Sequence, residues 1–453
     1  MTKRRRFSLS TTQIILLSFL AVIFIGSLLL SLPVSSATRV PVAYVDALFT
    51  ATTATCVTGL VTVPTATAWS VFGQAVILGL IQIGGLGVIT VLTAAMLLIN
   101  RKIGLSGRLL IQDAFNLNTL SGIAAFVKKV LAGTLIVEAA GALLNLPVFV
   151  PEFGARGVWI SVFHSISAFC NAGMDIIGET SLCGYADRPL LMITTALLII
   201  LGGLGYIVWW DGIRVIRTRR EKGGRLFRSL TLHSKIVLLT TAILLLGGTA
   251  LIFLFEARNP LTLGGQSLPR KIELAFFQSV TTRTAGFAGM PQENLTNASA
   301  FVSLLLMFIG GSPVGTAGGI KTVTLAVLTY VALSVIRGKN RTALFGRSIS
   351  RQSVAKAVAV LATSFTVLFC STVALAATTS APALDVLFET VSANATVGLS
   401  RNLTATLPAI GKIILIFTMY FGRVGPISLA LAFGNRKDRP NAVRDPVEEV
   451  SIG

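Results

Sequence analysis

Four short glycine turns are the segments of this 453-residue chain whose residue types suit direct chemistry with an ion. Their glycines recur at intervals of about 113 residues, and a phenylalanine stands ten residues before each of them. Glycine permits backbone angles that point successive carbonyl oxygens the same way, and rings of such oxygens replace the hydration shell of an alkali cation. The candidate ion-binding residues are Val57, Thr58, Gly59, Asn171, Ala172, Gly173, Thr284, Ala285, Gly286, Thr396, Val397 and Gly398.

Helix packing is the alternative explanation for these glycines, because the chain has 42 glycines and small residues let membrane helices approach closely. All four copies, however, share the phenylalanine, the glycine and a large apolar residue directly after it, which favours a repeated functional turn. No Asp or Glu occupies the turns, so selection by a ring of carboxylates is not indicated. Fixed carbonyl dipoles suit potassium better than a divalent ion.

A second unusual segment runs from residue 310 to 319, where proline and five glycines interrupt an apolar stretch. A regular helix does not persist through such a composition without help from its neighbours. A packing kink is the simpler interpretation, and a flexible loop that blocks a pore is the one we favour. The ending Gly318-Gly319-Ile320-Lys321-Thr322 is not a phosphate-binding loop, because Ile320 separates the glycine from the lysine. The candidate gating residues in this segment are Gly310, Gly311, Ser312, Pro313, Gly315, Thr316, Gly318, Gly319 and Lys321.

Arg423 is a charged residue in the middle of the last apolar stretch. An arginine at that depth costs about 2.5–3.5 kcal/mol on insertion scales, so it must face water or a partner. One hypothesis is an ion pair with Glu138, which lies within another apolar stretch. The favoured hypothesis is a positive charge that faces the pore, raises the barrier to cations and holds the gating loop.

The composition places all these segments in a lipid bilayer. Of the residues, 53% are hydrophobic and only 12% are charged, about half the charged fraction of a soluble domain. This excludes a large soluble enzyme, and neither His164 nor His233 has a neighbouring carboxylate or cysteine cluster that would make a catalytic or metal site. We therefore expect no enzymatic activity and no organic cofactor.

Apolar stretches long enough to cross about 30 Å of hydrocarbon predict eight spans, at 13–32, 72–99, 125–150, 189–212, 233–256, 300–335, 354–379 and 408–433.

The connections between the spans alternate in charge. Most of the 38 Lys and Arg residues lie in the N-terminus, in alternate connections and in the tail, whereas the other connections are neutral or acidic. The positive-inside rule then predicts a multi-pass protein of the cytoplasmic membrane with both termini in the cytoplasm. The net charge of +20 is thereby explained without a nucleic-acid partner.

Short apolar segments precede the four glycines, at 42–55, 159–169, 271–282 and 383–395, and they are too short to cross the bilayer. We expect re-entrant pore helices there, since irregular backbone at membrane depth is tolerated where it lines a wet cavity. The predicted fold is an all-α integral membrane protein in which four tandem span–pore-helix–span repeats surround one central pore. The predicted repeats are 1–100, 101–222, 223–345 and 346–435, followed by a cytoplasmic tail at 436–453.

Thr396-Val397-Gly398 resembles a shortened TVGYG filter of potassium channels, and the four unequal copies resemble the Trk/Ktr/HKT superfamily of potassium transporters. Within it the eight spans are similar to the Ktr-type membrane subunit. The resemblance implies K+ as the transported ion, and Gly59, rather than the serine of sodium-transporting plant members, agrees with that. It also implies that the segment 310–319 gates the pore, together with Arg423.

The same resemblance implies a homodimer with one pore per chain and a cytoplasmic ring of nucleotide-binding regulatory subunits of the RCK type. It leaves open whether Na+ acts as a coupling or activating ion. Two alternative functions are a less selective Na+/K+ translocator and a secondary transporter for a small organic solute. Fourfold repetition argues against the latter, whose substrate sites lie between twofold repeats.

Overall fold

The computed structural model describes residues 10–98, 123–222, 226–339 and 343–425. The tail predicted at 436–453 and the basic stretch at 101–122 lie outside the described residues. Within the described ranges the chain is helical apart from loops and one hairpin of two-residue strands, β1 (Ala343–Leu344) and β2 (Arg347–Ser348). The helices repeat in the order first span, pore helix and second span, four times along the chain.

Each repeat begins with one long helix, and among the described residues these four helices are long and apolar enough to cross a membrane unbroken. Hydroxyl side chains cap the amide groups at the start of three of them. Their outward faces expose large apolar side chains such as Leu135, Ile136 and Phe365, as expected of a surface that meets lipid. The first spans are α1 (Thr11–Leu30), α6 (Ile123–Phe153), α11 (Leu232–Glu256) and α15 (Arg351–Ala376).

The pore helices lie inside this ring of spans and are buried along most of their length. Three of them end at the residue directly before a glycine turn, and in the third repeat two residues separate the end of the helix from the turn. The predicted segments agree with them to within a few residues, and the fourth, 383–395, agrees at both ends. The pore helices are α2 (Tyr44–Cys56), α7 (Ala155–Cys170), α12 (Leu268–Thr281) and α16 (Ala383–Ala395).

The second spans differ from the expectation of continuous helices at 72–99 and 189–212. Three of them stop at a glycine with a positive φ angle: Gly87 at 85°, Gly205 at 86° and Gly425 at 89°. At Gly205 the chain turns by 94° between the two flanking helices. A side chain would be strained at these φ angles, so glycine makes the break possible. The helices on either side of the breaks are α4 (Val71–Leu86), α5 (Val88–Leu98), α8 (Pro189–Leu204), α9 (Tyr206–Lys222) and α17 (Ala409–Val424).

The second span of the third repeat contains the predicted loop, which separates α13 (Asn297–Phe308) from α14 (Thr322–Ile336). Ile309 and Ile320, at the two ends of the loop, form a parallel backbone bridge, in which the Gly310 N–H donates to the Ile320 carbonyl at 2.9 Å. The two ends of the loop are therefore held side by side, between the end of α13 and the start of α14. Two short helices, α3 (Thr65–Ala68) and α10 (Leu226–Ser229), complete the described elements together with four single 3-10 turns.

Candidate functional site

The four glycine turns share one backbone conformation. The first residue of each turn is left-handed, with φ of 55° at Val57, 59° at Asn171, 69° at Thr284 and 53° at Thr396. The glycine two residues later also has a positive φ in every turn, between 64° and 100°, whereas the residue between them does not. The sign of φ thus alternates along each turn, which directs successive carbonyl oxygens toward the same side of the chain.

The four turns touch one another in a closed cycle. A Cβ atom placed on Gly59 would lie 2.6 Å from the Ala172 carbonyl oxygen, and one on Gly173 would lie 2.6 Å from that of Ala285. The corresponding atom on the third glycine would meet the Val397 carbonyl, and that on the fourth would meet the Thr58 carbonyl. Turn one therefore contacts turn two, two contacts three, three contacts four, and four contacts one. The residues predicted to bind an ion are brought together in a single ring.

Hydroxyl side chains at the ends of the pore helices hold this ring in place. The Thr53 hydroxyl accepts a hydrogen bond from the Gly59 N–H at 2.9 Å, and the Ser392 hydroxyl accepts one from the Gly398 N–H at 3.0 Å. In the second repeat the Ser167 hydroxyl donates to the Met174 carbonyl at 2.6 Å and accepts from the Met174 N–H at 3.2 Å. In the third repeat the Thr281 hydroxyl donates to the Phe287 carbonyl at 2.7 Å. These four anchors were not predicted from the sequence. Their signal is a Ser or Thr five or six residues before each glycine.

On one side of the ring lies a cavity of about 480 Å³, here called the mouth cavity, whose lining includes all four ring glycines. Three carboxylates stand around it, from Asp175, Glu179 and Glu293. Burial raises the pKa of the Asp175 carboxyl, and hydrogen bonds from Ser181 and the backbone oppose that effect. The acidic residues therefore surround the approach to the ring, whereas the ring itself is built from backbone.

The predicted gating loop, residues 310–319, lies on the opposite side of the ring and is held by backbone carbonyls that lack a helical partner where α8 breaks. The Ser312 N–H donates to the Gly203 carbonyl at 2.9 Å, and the Thr316 N–H donates to that of Gly202 at 3.2 Å. These carbonyls have no helical partner because α8 ends at Leu204. The Thr316 hydroxyl also donates to the carbonyl of Phe169, near the end of pore helix α7, at 3.1 Å.

The loop reaches the underside of the fourth turn at Gly318. A Cβ atom at this position would collide with the Thr396 hydroxyl and lie 3.1 Å from the Ala395 carbonyl. At the start of the loop, Arg283 donates to the Gly310 carbonyl at 3.1 Å from a largely buried position. Arg283 follows pore helix α12, so it ties the loop to the third turn, and it was not among the residues predicted from the sequence.

Arg423 lies on the last helix and bridges two repeats through backbone carbonyls. It donates to the Thr316 carbonyl of the gating loop at 2.5 Å and to the Gly84 carbonyl of α4. The ion pairs among the described residues do not include it. Glu138, its alternative partner, instead accepts a hydrogen bond from Gln82 at 3.3 Å. Arg423 therefore contacts the loop and α4, and its role in gating stays a prediction.

A second cavity of about 340 Å³, here called the loop cavity, lies below the gating loop. Its lining includes Gly318, Lys321, Arg423 and residues of α1 such as Ile15 and Phe19. The mouth cavity thus lies on one side of the ring, and the loop and the loop cavity lie on the other.

These features define an integral membrane protein whose four repeats surround one central ring of glycine turns. The family model for TrkH, described as a cation transport protein, matches residues 3–443, and the chain belongs to that family. It is 38% identical over its whole length to the potassium/sodium uptake protein NtpJ of Enterococcus hirae, of which it covers 99%. It is 39% identical to the Ktr system potassium uptake protein B of Bacillus subtilis, with 97% of this chain and 96% of that protein covered.

A solved structure extends the comparison to the fold. The crystal structure of the potassium transporter TrkH from Vibrio parahaemolyticus matches with a TM-score of 0.72 over 95% of this chain and 86% of that one, at 18% identity. The predicted fold class and the predicted family resemblance are both confirmed by these matches. The roles of individual site residues stay predictions.

Proposed function

We propose that this chain is the membrane subunit of a potassium uptake system and that K+ crosses through the ring of four glycine turns. The observation that carries the proposal is the closed cycle of contacts among the turns, with an alternating sign of φ in each. Such a ring offers carbonyl oxygens on a common axis and no side-chain charge. The names of the two relatives described above include potassium uptake, which supports K+ as the ion.

In this proposal the ion enters the mouth cavity, where three carboxylates raise the local cation concentration. It then exchanges water for carbonyl oxygens in the ring and meets the gating loop. The loop, with Arg423 and Lys321, closes the path until it moves aside. The hydrogen bonds that the loop donates to the Gly202 and Gly203 carbonyls, and the one that it accepts from Arg423, define what must break during opening.

A less selective path for Na+ and K+ is the second candidate, and the name of the Enterococcus hirae relative favours it. The two candidates share the ring and differ in how rigidly it is held. Competition between Na+ and Rb+ during uptake separates them, because a rigid ring rejects the smaller ion and a loose one admits it.

The membrane arrangement is proposed from the charge pattern and the family. The N-terminal half of α1 lies on the side of the loop cavity, and the basic connections lie on that side in the predicted topology. Both termini are then cytoplasmic. The Bacillus subtilis relative is named as one part of a Ktr system, which supports assembly of this chain with further components. The proposed assembly is the one that the family resemblance implies, a homodimer that binds a nucleotide-binding regulatory ring of the RCK type.

Uptake of K+ by cells that lack their own uptake systems tests the proposal, with Gly286→Ser as the variant. The new side chain would meet the Val397 carbonyl and would sit at a φ of 82°, so the ring must distort. We expect growth on limiting K+ to be lost and Rb+ uptake to fall at least about tenfold, which corresponds to about 1.4 kcal/mol in the barrier.

Gly247→Ser is the matched control, because a Cβ atom on this glycine of α11 meets nothing within 4 Å. It should support growth as well as the unchanged chain does. The proposal fails if the Gly286 variant is produced at normal level and still rescues growth with unchanged discrimination against Na+.

A further inference from the structure

The loop cavity has two cationic side chains in its wall. Lys321 and Arg423 both line it. Among the described residues, no Asp or Glu contributes to that lining. A charge held away from bulk water needs a partner or good hydrogen bonds, and two like charges in one wall increase that need.

The two groups are neighbours on the same piece of backbone. Arg423 donates to the Thr316 carbonyl at 2.5 Å, and the Lys321 ammonium donates to the next carbonyl, that of Ala317, at 2.6 Å. Consecutive carbonyls of a chain are only a few ångströms apart, on the order of the 3.8 Å between their Cα atoms. The two cationic groups therefore lie along one short stretch of the loop backbone.

Among the described residues, the partners of both groups leave some of their donors unused beyond the hydrogen bonds to the loop and to α4. An ammonium has three N–H donors, and Lys321 spends two of them on the Ala317 and Gly318 carbonyls, at 2.6 and 3.4 Å. A guanidinium has five, and Arg423 spends two on the Thr316 and Gly84 carbonyls. The remaining donors are of the kind that binds anions.

The local backbone adds to the positive potential. Lys321 is the N-cap residue of α14, a helix of 15 residues, and its side chain makes no capping bond. The positive end of that helix dipole therefore lies in the same wall as the two side chains. Ser364 and Asn394 also line the cavity and supply a hydroxyl and an amide.

We propose that the loop cavity binds one small inorganic anion between Lys321 and Arg423 while the loop is closed. A halide is the simplest such ligand, and the 340 Å³ of the cavity leave room for it with several waters. The bound anion neutralises the wall and must leave, or share the cavity, when a cation passes. The anion is not carried across the membrane, so its binding can be measured without a transport assay.

Thermal unfolding of the purified full chain in detergent tests the site, with chloride replacing gluconate at constant ionic strength. Binding to the folded state alone raises the unfolding temperature in a saturable manner, and we expect a rise of about 2 °C. Lys321→Gln should abolish the rise, whereas Lys321→Arg should keep it. Lys271→Gln is the matched control, because Lys271 also donates to a carbonyl, that of Ala257 at 2.8 Å, but is not part of the cavity lining. It should keep the full rise.

Bromide anomalous diffraction from crystals of the unchanged protein gives a second readout that needs no variant. The expected result is one bromide peak within hydrogen-bonding distance of both Lys321 and Arg423. The proposal is overturned by a cavity without bromide, by an unfolding temperature that does not respond to chloride, or by a response of equal size in Lys321→Gln.

Discussion

Replacing Arg423 with alanine should open the path, and the structure sets the scale of the effect. The side chain donates to the Thr316 carbonyl of the loop at 2.5 Å and to the Gly84 carbonyl of α4. Hydrogen bonds from a charged donor contribute about 1.5–3 kcal/mol each, and water in the loop cavity can replace part of that. We take about 3 kcal/mol as the net loss for the closed loop, which shifts the closed-to-open ratio by about 100-fold.

Uptake of Rb+ into proteoliposomes measures this shift. We expect the rate for Arg423→Ala to rise by up to about 100-fold, limited by the rate of the fully open path. Arg423→Lys keeps the charge and loses the two-carbonyl bridge, so its rate should lie between the two. Arg156→Ala, at an exposed arginine, should leave the rate unchanged. A correctly folded Arg423→Ala protein whose rate is unchanged or lower would refute this explanation of the closed loop.

Three further predictions concern the ring and its support. Ser392→Ala removes the hydroxyl that accepts the hydrogen bond from the Gly398 N–H. A hydrogen bond of this kind contributes about 1 kcal/mol, so Na+ should inhibit Rb+ uptake about fivefold more strongly in the variant. Unaltered inhibition would contradict the anchoring role. Asp46 and Lys412 form an ion pair at 2.6 Å between the first and last repeats. A double-mutant cycle on the two residues should give a coupling free energy of about 1 kcal/mol in thermal unfolding. A value near zero would show that the pair does not stabilise the contact between these repeats. Gly202→Ala would press a Cβ against the Phe169 carbonyl, whereas Gly212→Ala meets open space; only the first should lower the unfolding temperature, and equal values would contradict the packing argument.

The ring of glycine turns could be predicted from the sequence because it depends on a local feature that is repeated four times. A glycine at a fixed distance after a phenylalanine marks each turn, and the pore helices are bounded by the length of apolar sequence before it. The hydroxyl anchors were equally local, at Thr53, Ser167, Thr281 and Ser392, but Ser and Thr are common and their role became visible only through their hydrogen bonds.

The interruption at 310–319 was predicted, but the breaks at Gly87, Gly205 and Gly425 were not, because apolar sequence continues past each of these three glycines. The glycines at which the helices stop, Gly87, Gly205 and Gly425, each follow another glycine by three residues, and that earlier glycine packs against a carbonyl at the end of a pore helix. Such packing is a long-range contact, which no local pattern contains. The same reason explains why Arg283 was missed, since its partner Gly310 is 27 residues away.

The most direct test of the central claim is rubidium anomalous diffraction from crystals of this protein grown in Rb+. We predict a peak on the axis of the ring, coordinated by carbonyl oxygens of the turns that contain Gly59, Gly173, Gly286 and Gly398. A ring without rubidium, or rubidium bound only at the carboxylates of the mouth cavity, would contradict the claim that the ion crosses through the ring.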